Sequence, residues 1–325
     1  MIYLGEINNM SKAIGGYFSL ELPLHEEYHK RAIKLNTGRN CLEYILRYRL
    51  CKKIYIPFYT CESVLEPIIK MGVDYEFYHI NRNLELETII ELGKDEVLLY
   101  TNYYGIKQEY VKFLTRHYGE KLIIDNTQAF FAAPITGVDT FYSCRKFFGV
   151  PDGAYLYTNG HVDIQLEQDF SYNRMNHLIN SIDYSQEYAF TAFHKSEESL
   201  KNQDTKKMSK LTQRIMQSID YEKIARKRQD NFFYLHKQLS DSNLLNTNIS
   251  GDATPLIYPY FSEDNKLREN LIKNKIYVAQ YWPNVLKWTD KDSIEYSLAE
   301  KMVPLPIDQR YSKEDMNFIL KTINR

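Results

Sequence analysis

The chain has 325 residues, of which 44% are hydrophobic and 26% charged, enough for a large buried core and two domains. Lys+Arg 41 against Asp+Glu 42 leaves a formal net charge of -1, so no bulk electrostatic attraction to nucleic acid or to an anionic membrane is expected. Four cysteines, Cys41, Cys51, Cys61 and Cys144, form no Cys-x-x-Cys, metal-ligand spacing or disulfide frame, the usage expected in a reducing cytoplasm.

Residues 1–10 carry acidic and amide groups around no apolar core, so they do not read as a signal peptide, and no apolar run approaches the length of a membrane span. Residues 1–35 read as an N-terminal arm with a turn at Gly15-Gly16 and a polar amphipathic run over 24–33. The pattern then becomes regular. Helices are expected over 39–50, 62–70, 84–92 and 107–118, with strands over 54–57, 75–80, 97–101, 121–125, 140–142 and 155–157. That alternation predicts an α/β fold of right-handed crossovers around a mostly parallel sheet. Residues 163–203 are polar and tyrosine-rich and read as helices, with a mobile connection over 201–207. Helices follow over 211–217 and 221–239, the second with one strongly charged face, as in a helix bridging domains. Turn formers fill 241–254, and then come a strand over 256–261, a helix over 267–274, a strand over 276–279 and a helix over 313–323. The expected division is an arm (1–35), a large α/β domain (36–220) and a small α+β domain (221–325).

In such sheets ligands bind beyond the carboxyl ends of the strands. Asn36-Thr37-Gly38-Arg39 opens a helix there, and its backbone N–H groups and dipole suit a phosphate; an ordinary N-cap by Thr37 reads equally well. No Gly-x-Gly-x-x-Gly and no Walker sequence occurs, so dinucleotide and nucleoside triphosphate binding have no support. Leu122-Ile123-Ile124-Asp125 ends a buried run in a carboxylate that can pair with a protonated heteroaromatic nitrogen, with Gln128 placed to bond a neighbouring substituent; a turn aspartate is the alternative. Lys146 lies between two strands, with Arg145 before it and Phe147-Phe148 after it. Apolar surroundings and a nearby cation favour the neutral, nucleophilic amine that forms Schiff bases, whereas a solvated lysine at a strand end would do nothing. Ser143 and Lys146 also fit the Ser-x-x-Lys of penicillin-binding enzymes, but the Lys-Thr-Gly and Ser-Asp-Asn elements of that class do not occur. None of the eight histidines clusters with acids or cysteines at metal-ligand spacing.

Taken in order, these segments resemble the DegT/DnrJ/EryC1/StrS family of pyridoxal-phosphate-dependent sugar aminotransferases, a branch of fold type I. Thr37-Gly38-Arg39 with Leu42 resembles the family's phosphate loop, and Asn102-Tyr103-Tyr104-Gly105 its His-x-Tyr-Gly. Asp125-Asn126-Thr127-Gln128-Ala129 resembles its Asp-x-x-Gln/His-Ala, and Lys146 with Asp152-Gly153 its Schiff-base lysine and Glu-Gly-Gly. Lys207-Met208-Ser209 resembles the Arg-Met-Ser that reaches toward the partner subunit, and Val303-Pro304-Leu305-Pro306 the family's late Leu-Pro segment.

The resemblance implies a homodimeric aminotransferase with pyridoxal 5'-phosphate as cofactor, an amino-acid donor such as glutamate and a nucleotide-linked keto-sugar acceptor. Lys146 and Asp125 would be catalytic. Thr37, Gly38, Arg39 and Ser143 would hold the cofactor phosphate, with Lys207 crossing from the partner. Gln128 and Tyr103 would line the cofactor. Cys61 stands where the family often places a stacking aromatic, with Tyr59 as the nearby substitute, and two residues rather than four separate Ser143 from Lys146. Two alternatives follow: a lyase or dehydratase of the same cofactor class, in whose relatives histidine tends to replace the lysine, and a cofactor-binding protein without catalysis, serving regulation or assembly.

Overall fold

The computed structural model describes residues 14–324; the reading of residues 1–10 as lacking a leader therefore lies outside them. Among the described residues nine strands carry the fold. Those of the main sheet are β1 (Ile33–Leu35), β2 (Lys53–Pro57), β3 (Asp74–Tyr78), β4 (Glu96–Thr101), β5 (Leu122–Asp125), β6 (Asp139–Ser143) and β7 (Ala154–Tyr157); β8 (Tyr258–Phe261) and β9 (Met302–Leu305) form a separate antiparallel pair.

The main sheet runs β1-β7-β6-β5-β4-β2-β3, with β2 to β6 mutually parallel and β7 antiparallel to both its neighbours. Strands covered on both faces need apolar residues at every position, and β4 and β5 supply them: Leu98, Tyr100, Leu122 and Ile124 enter one core, while Val97, Leu99 and Ile123 enter the other. The second core is closed by α1 (Gly38–Arg49) through Cys41, Leu42, Ile45 and Leu46. Further helices are α2 (Leu65–Met71), α3 (Gln108–Tyr118), α4 (Asn176–Asp183), α5 (Gln186–Ser199), α6 (Lys210–Met216), α7 (Tyr221–Leu239), α8 (Leu267–Lys273), α9 (Val285–Trp288), α10 (Ile294–Lys301) and α11 (Lys313–Ile323). The registers Thr101↔Asp125 and Asp125↔Phe141 bring the carboxyl ends of β4, β5 and β6 side by side.

Three expectations are corrected. Residues 84–92 are not helical: the Asn81 side chain accepts the N–H groups of Asn83 and Glu85, Leu84 turns left-handed at φ 60°, and the Tyr110 and Tyr118 hydroxyls accept the N–H groups of Leu86 and Ile90. Residues 276–279 form no strand, since β8 pairs with β9 instead and the Arg268 guanidinium takes the Ala279 carbonyl. Residues 201–207 are docked rather than loose, because Asn36 binds the Lys206 carbonyl through its N–H at 3.0 Å and the Lys206 N–H through its side chain at 3.2 Å. Met208 N–H adds a bond to Lys34 at 3.0 Å. The edge strand β1, unannounced in the sequence pattern, is what this segment docks against. Among the described residues no helix is long and apolar enough to cross a membrane, and no His/Cys/Asp/Glu group could hold a metal ion.

Candidate active site

Asp125 ends β5 almost fully buried. Its carboxylate accepts the Thr127 N–H at 2.8 Å, the turn that a short acidic side chain favours at a strand end. Burial pushes its carboxyl above the ordinary value, and the Lys146 charge and the bonds from Thr127 pull part of that back. The Thr127 hydroxyl accepts a hydrogen bond from Lys146 Nζ at 3.3 Å. Lys146 and Asp125 thus meet around one threonine, with the lysine exposed at the sheet's end.

The local fold explains why the lysine faces out. Phe147 and Phe148 on its carboxyl side are buried in the core, and their N–H groups bond the Cys144 carbonyl at 3.1 and 3.0 Å. At the far end of the turn the Gly153 N–H binds the Asn36 carbonyl at 2.6 Å. Gly153 has φ +107°, and a Cβ there would come within 2.8 Å of Thr212 Cγ2, so only glycine fits. Asp152, wholly buried, accepts from the Ser209 hydroxyl at 3.0 Å, from Arg174 at 3.3 Å and from the Thr212 hydroxyl. The lysine-bearing turn is therefore tied to α6 and to the start of α1.

Gln128 is fully buried; its Oε1 accepts the Tyr104 N–H at 2.9 Å, while its Nε2 has no partner. An orphaned buried amide is costly, so a ligand acceptor is the natural complement. Tyr104 itself is left-handed, φ 56°, at the tight turn after β4.

Thr37 caps α1, accepting the Asn40 N–H at 3.2 Å and donating to the Asn40 side chain at 2.6 Å. A Cβ on Gly38 would lie 3.2 Å from Thr127 Cγ2, so the free N–H groups of the helix start stand directly beside the Lys146–Thr127–Asp125 group. Arg39 is not a free cation: Glu66 lies 3.2 Å from its Nε and the Leu200 carbonyl accepts from its Nη1 at 3.1 Å. Arg145 pairs with Glu197, and burial draws its guanidinium down to about 10. Ser143 is half-buried at the end of β6, paired through its main chain with Ala154.

Two tyrosines of this region lie within the core. Tyr59 and Tyr103 are fully buried, the Tyr59 hydroxyl bonded to that of Tyr104 at 2.8 Å and the Tyr103 hydroxyl donating to the Tyr59 carbonyl at 2.9 Å. Cys61 is half-exposed and accepts from the Ser63 hydroxyl at 3.1 Å. The Lys207 side chain is exposed. Sequence reasoning gave no role to Thr127, the residue that joins Lys146 to Asp125; its signal was a hydroxyl two positions after an aspartate that ends an apolar strand.

Neither a family model nor a curated protein matches the chain. Solved structures do. A DegT DnrJ EryC1 StrS aminotransferase from Brucella abortus is 15% identical, with 90% of this chain and 85% of that one aligned at a TM-score of 0.58. The PMP form of the sugar aminotransferase Spr1654 from Streptococcus pneumoniae is 14% identical over 90% and 86% of the two chains, with a TM-score of 0.62. The GDP-4-keto-6-deoxymannose-3-dehydratase ColD is 15% identical over 90% and 88%, also at 0.62. The fold is that of the fold-type-I pyridoxal-phosphate-dependent transferases. These solved structures are of sugar-modifying enzymes, the family that the sequence resembles.

Proposed function

We propose that the chain is a pyridoxal-phosphate-dependent aminotransferase that moves an amino group from an amino acid, glutamate by preference, to a nucleotide-linked keto-sugar. It would work in the cytoplasm, as a homodimer with a shared site, on a large domain of residues 36–220 and a small domain of 221–325. The observation that carries this reading is the Lys146–Thr127–Asp125 group beside the start of α1. The residues fit the cofactor: α1 offers N–H groups for a phosphate, and among the described residues Gln128 Nε2 is a buried donor without an acceptor and Asp125 a buried carboxylate without a salt-bridge partner.

When bound, the cofactor supplies the electron sink that amino-group chemistry needs. Asp125 would hold its ring nitrogen protonated, a charge that offsets the burial cost of the carboxylate. Gln128 would bond the ring hydroxyl, and Thr37, Gly38 and Ser143 the phosphate. Lys146 Nζ would anchor the cofactor and then act as the base that takes the proton from the donor's α-carbon. A sugar dehydratase is the second reading, favoured by the likeness to ColD; the lysine at position 146 supports transamination, which needs that amine as its base.

The visible spectrum of the purified protein tests this. An absorbance band that bleaches on adding L-glutamate is the expected result. A band indifferent to glutamate would mean a passive binder or a dehydratase, and no band would end the cofactor reading.

A further inference from the structure

Beyond the carboxyl ends of β2 and β4, four tyrosines and a tryptophan meet. Trp282 is buried against Tyr59 with ring centroids 5.0 Å apart, and Tyr281 stacks on Tyr104 at 6.0 Å and 27°. The segment that brings them is pinned by the Asn284 side chain, which donates to the Thr60 carbonyl at 2.9 Å. Tyr104 is in turn held by the Gln128 side chain at 2.9 Å, so Tyr281 packs on the turn that Gln128 anchors.

The hydroxyls of this cluster differ. Those of Tyr59 and Tyr104 are bonded to each other and that of Tyr103 to a carbonyl. The Tyr281 ring is half-buried, and its hydroxyl bonds no described residue. Burial, and Cys61 nearby, raise its pKa to about 12, so it stays a donor at every physiological pH. A cysteine at position 61 leaves room for this ring beside it. Packing alone does not require an uncommitted phenol at this position, since phenylalanine would serve.

We propose that Tyr281 is a substrate-recognition residue: its ring packs on the apolar C–H face of the acceptor's hexose and its hydroxyl donates to one of the sugar oxygens. This rests on the proposed reading of the acceptor as a nucleotide-linked sugar. It explains why a residue of the C-terminal region is carried onto the ends of the main sheet's strands. It also assigns the aromatic wall of the site to a position that the loop after β2 does not supply.

The test uses Tyr281→Phe and Tyr281→Ala with the full chain, followed by the fluorescence of the two tryptophans, one of which, Trp282, lies 5.5 Å from the Tyr281 ring. The probes are GDP-mannose, UDP-glucose and dTDP-glucose, with the corresponding nucleoside diphosphates as controls that lack the hexose. At least one nucleotide hexose should bind the wild type and bind Tyr281→Phe about threefold to tenfold more weakly, the loss of one hydrogen bond. Tyr281→Ala should lose more, and the nucleoside diphosphates should bind all three proteins alike. If Tyr281→Ala fails to fold, the Phe variant decides. Equal hexose affinity in Tyr281→Phe, an equal loss with the nucleoside diphosphates, or no hexose binding by the wild type overturns the assignment. Loss of bound-cofactor absorbance in Tyr281→Phe would overturn it too, placing the side chain with the cofactor. Because sugar binding is read without cofactor, a wild type that takes up no pyridoxal phosphate refutes the aminotransferase reading separately.

Discussion

Lys146 Nζ reaches the hydroxyl of Thr127 at 3.3 Å, and the N–H of the same threonine holds the Asp125 carboxylate at 2.8 Å. An amine and a buried carboxylate on adjacent strand ends are thereby set around one small residue, with a helix start packed against it. Borohydride treatment of protein loaded with pyridoxal phosphate should leave a stable label on Lys146, found by peptide mapping, and Lys146→Ala should take none. A label on any other lysine would remove Lys146 from the centre of the site.

Asp125 carries a prediction about pH as well as turnover. Its folded pKa is raised, chiefly by burial, so in the cofactor-free protein the charged form is penalised. The stability that the protonated form provides is complete below the ordinary carboxylate pKa and is lost as pH rises through the folded value. Cofactor-free Asp125→Asn should therefore be at least as stable as wild type at pH 7.5, and its advantage should shrink toward pH 3.5 in urea titrations. The same variant should lose nearly all turnover, since an amide does not balance a protonated ring nitrogen. Asp125→Asn that turns over at near wild-type rate would show that the carboxylate is only a turn former.

The site was legible in the sequence where strand ends dictate it. Asp125 closes an apolar run, and Lys146 precedes two phenylalanines that can only be buried, so the backbone leaves the lysine outside. What escaped was set by partners distant in the chain. Trp282 of the C-terminal region packs on Tyr59 and Tyr103, a contact that no local pattern announces. The helical pattern over 84–92 was overridden by the Asn81 side chain and two tyrosine hydroxyls that take its N–H groups. Polar composition made 201–207 look mobile, and main-chain bonds to Asn36 hold it.

His29 ties the arm to the same region. Buried at 1% exposure, it contacts the Phe130 carbonyl through Nε2 at 2.8 Å and the Tyr157 hydroxyl through Nδ1 at 3.2 Å. With Nε2–H donating to the carbonyl, the ring must be neutral for Nδ1 to accept from Tyr157. Burial draws its pKa down to about 4, the carbonyl opposing. A histidine depressed in the folded state contributes stability that is full above pH 6.5 and lost as pH falls toward 4, in total roughly 3 kcal/mol. His29→Phe should be less stable than wild type at pH 7.5, by about 1 to 2 kcal/mol for the two groups left unpaired. The urea midpoints of the two proteins should converge and then cross between pH 6.5 and 4; parallel pH profiles would show that His29 does not titrate in this range.

The last prediction concerns where the positive charge for a phosphate comes from. Within one chain, Arg39 is engaged by Glu66 and the Leu200 carbonyl, and Arg145 by Glu197. Lys206 lies 3.8 Å from Glu167, whereas Lys207 is exposed on a main chain bridged to Leu35 and Gln168. A segment so anchored holds its lysine out on the molecular surface in a defined place. The chain also leaves apolar side chains bare, Ile182 at 84% and Phe190 at 59% exposure among them, which a second copy would cover. If Lys207 serves the partner's site, Lys146→Ala and Lys207→Ala are each inactive alone but complementary. In a mixed dimer one site carries both lesions and the other neither. Random pairing on refolding the two together should then restore about a quarter of wild-type activity, as a two-fold symmetric pair requires. Sedimentation should show a dimer throughout. Full activity in Lys207→Ala would reduce that lysine to a solvated charge. An inactive Lys207→Ala that gains nothing from mixing would place its lysine in the site of its own chain.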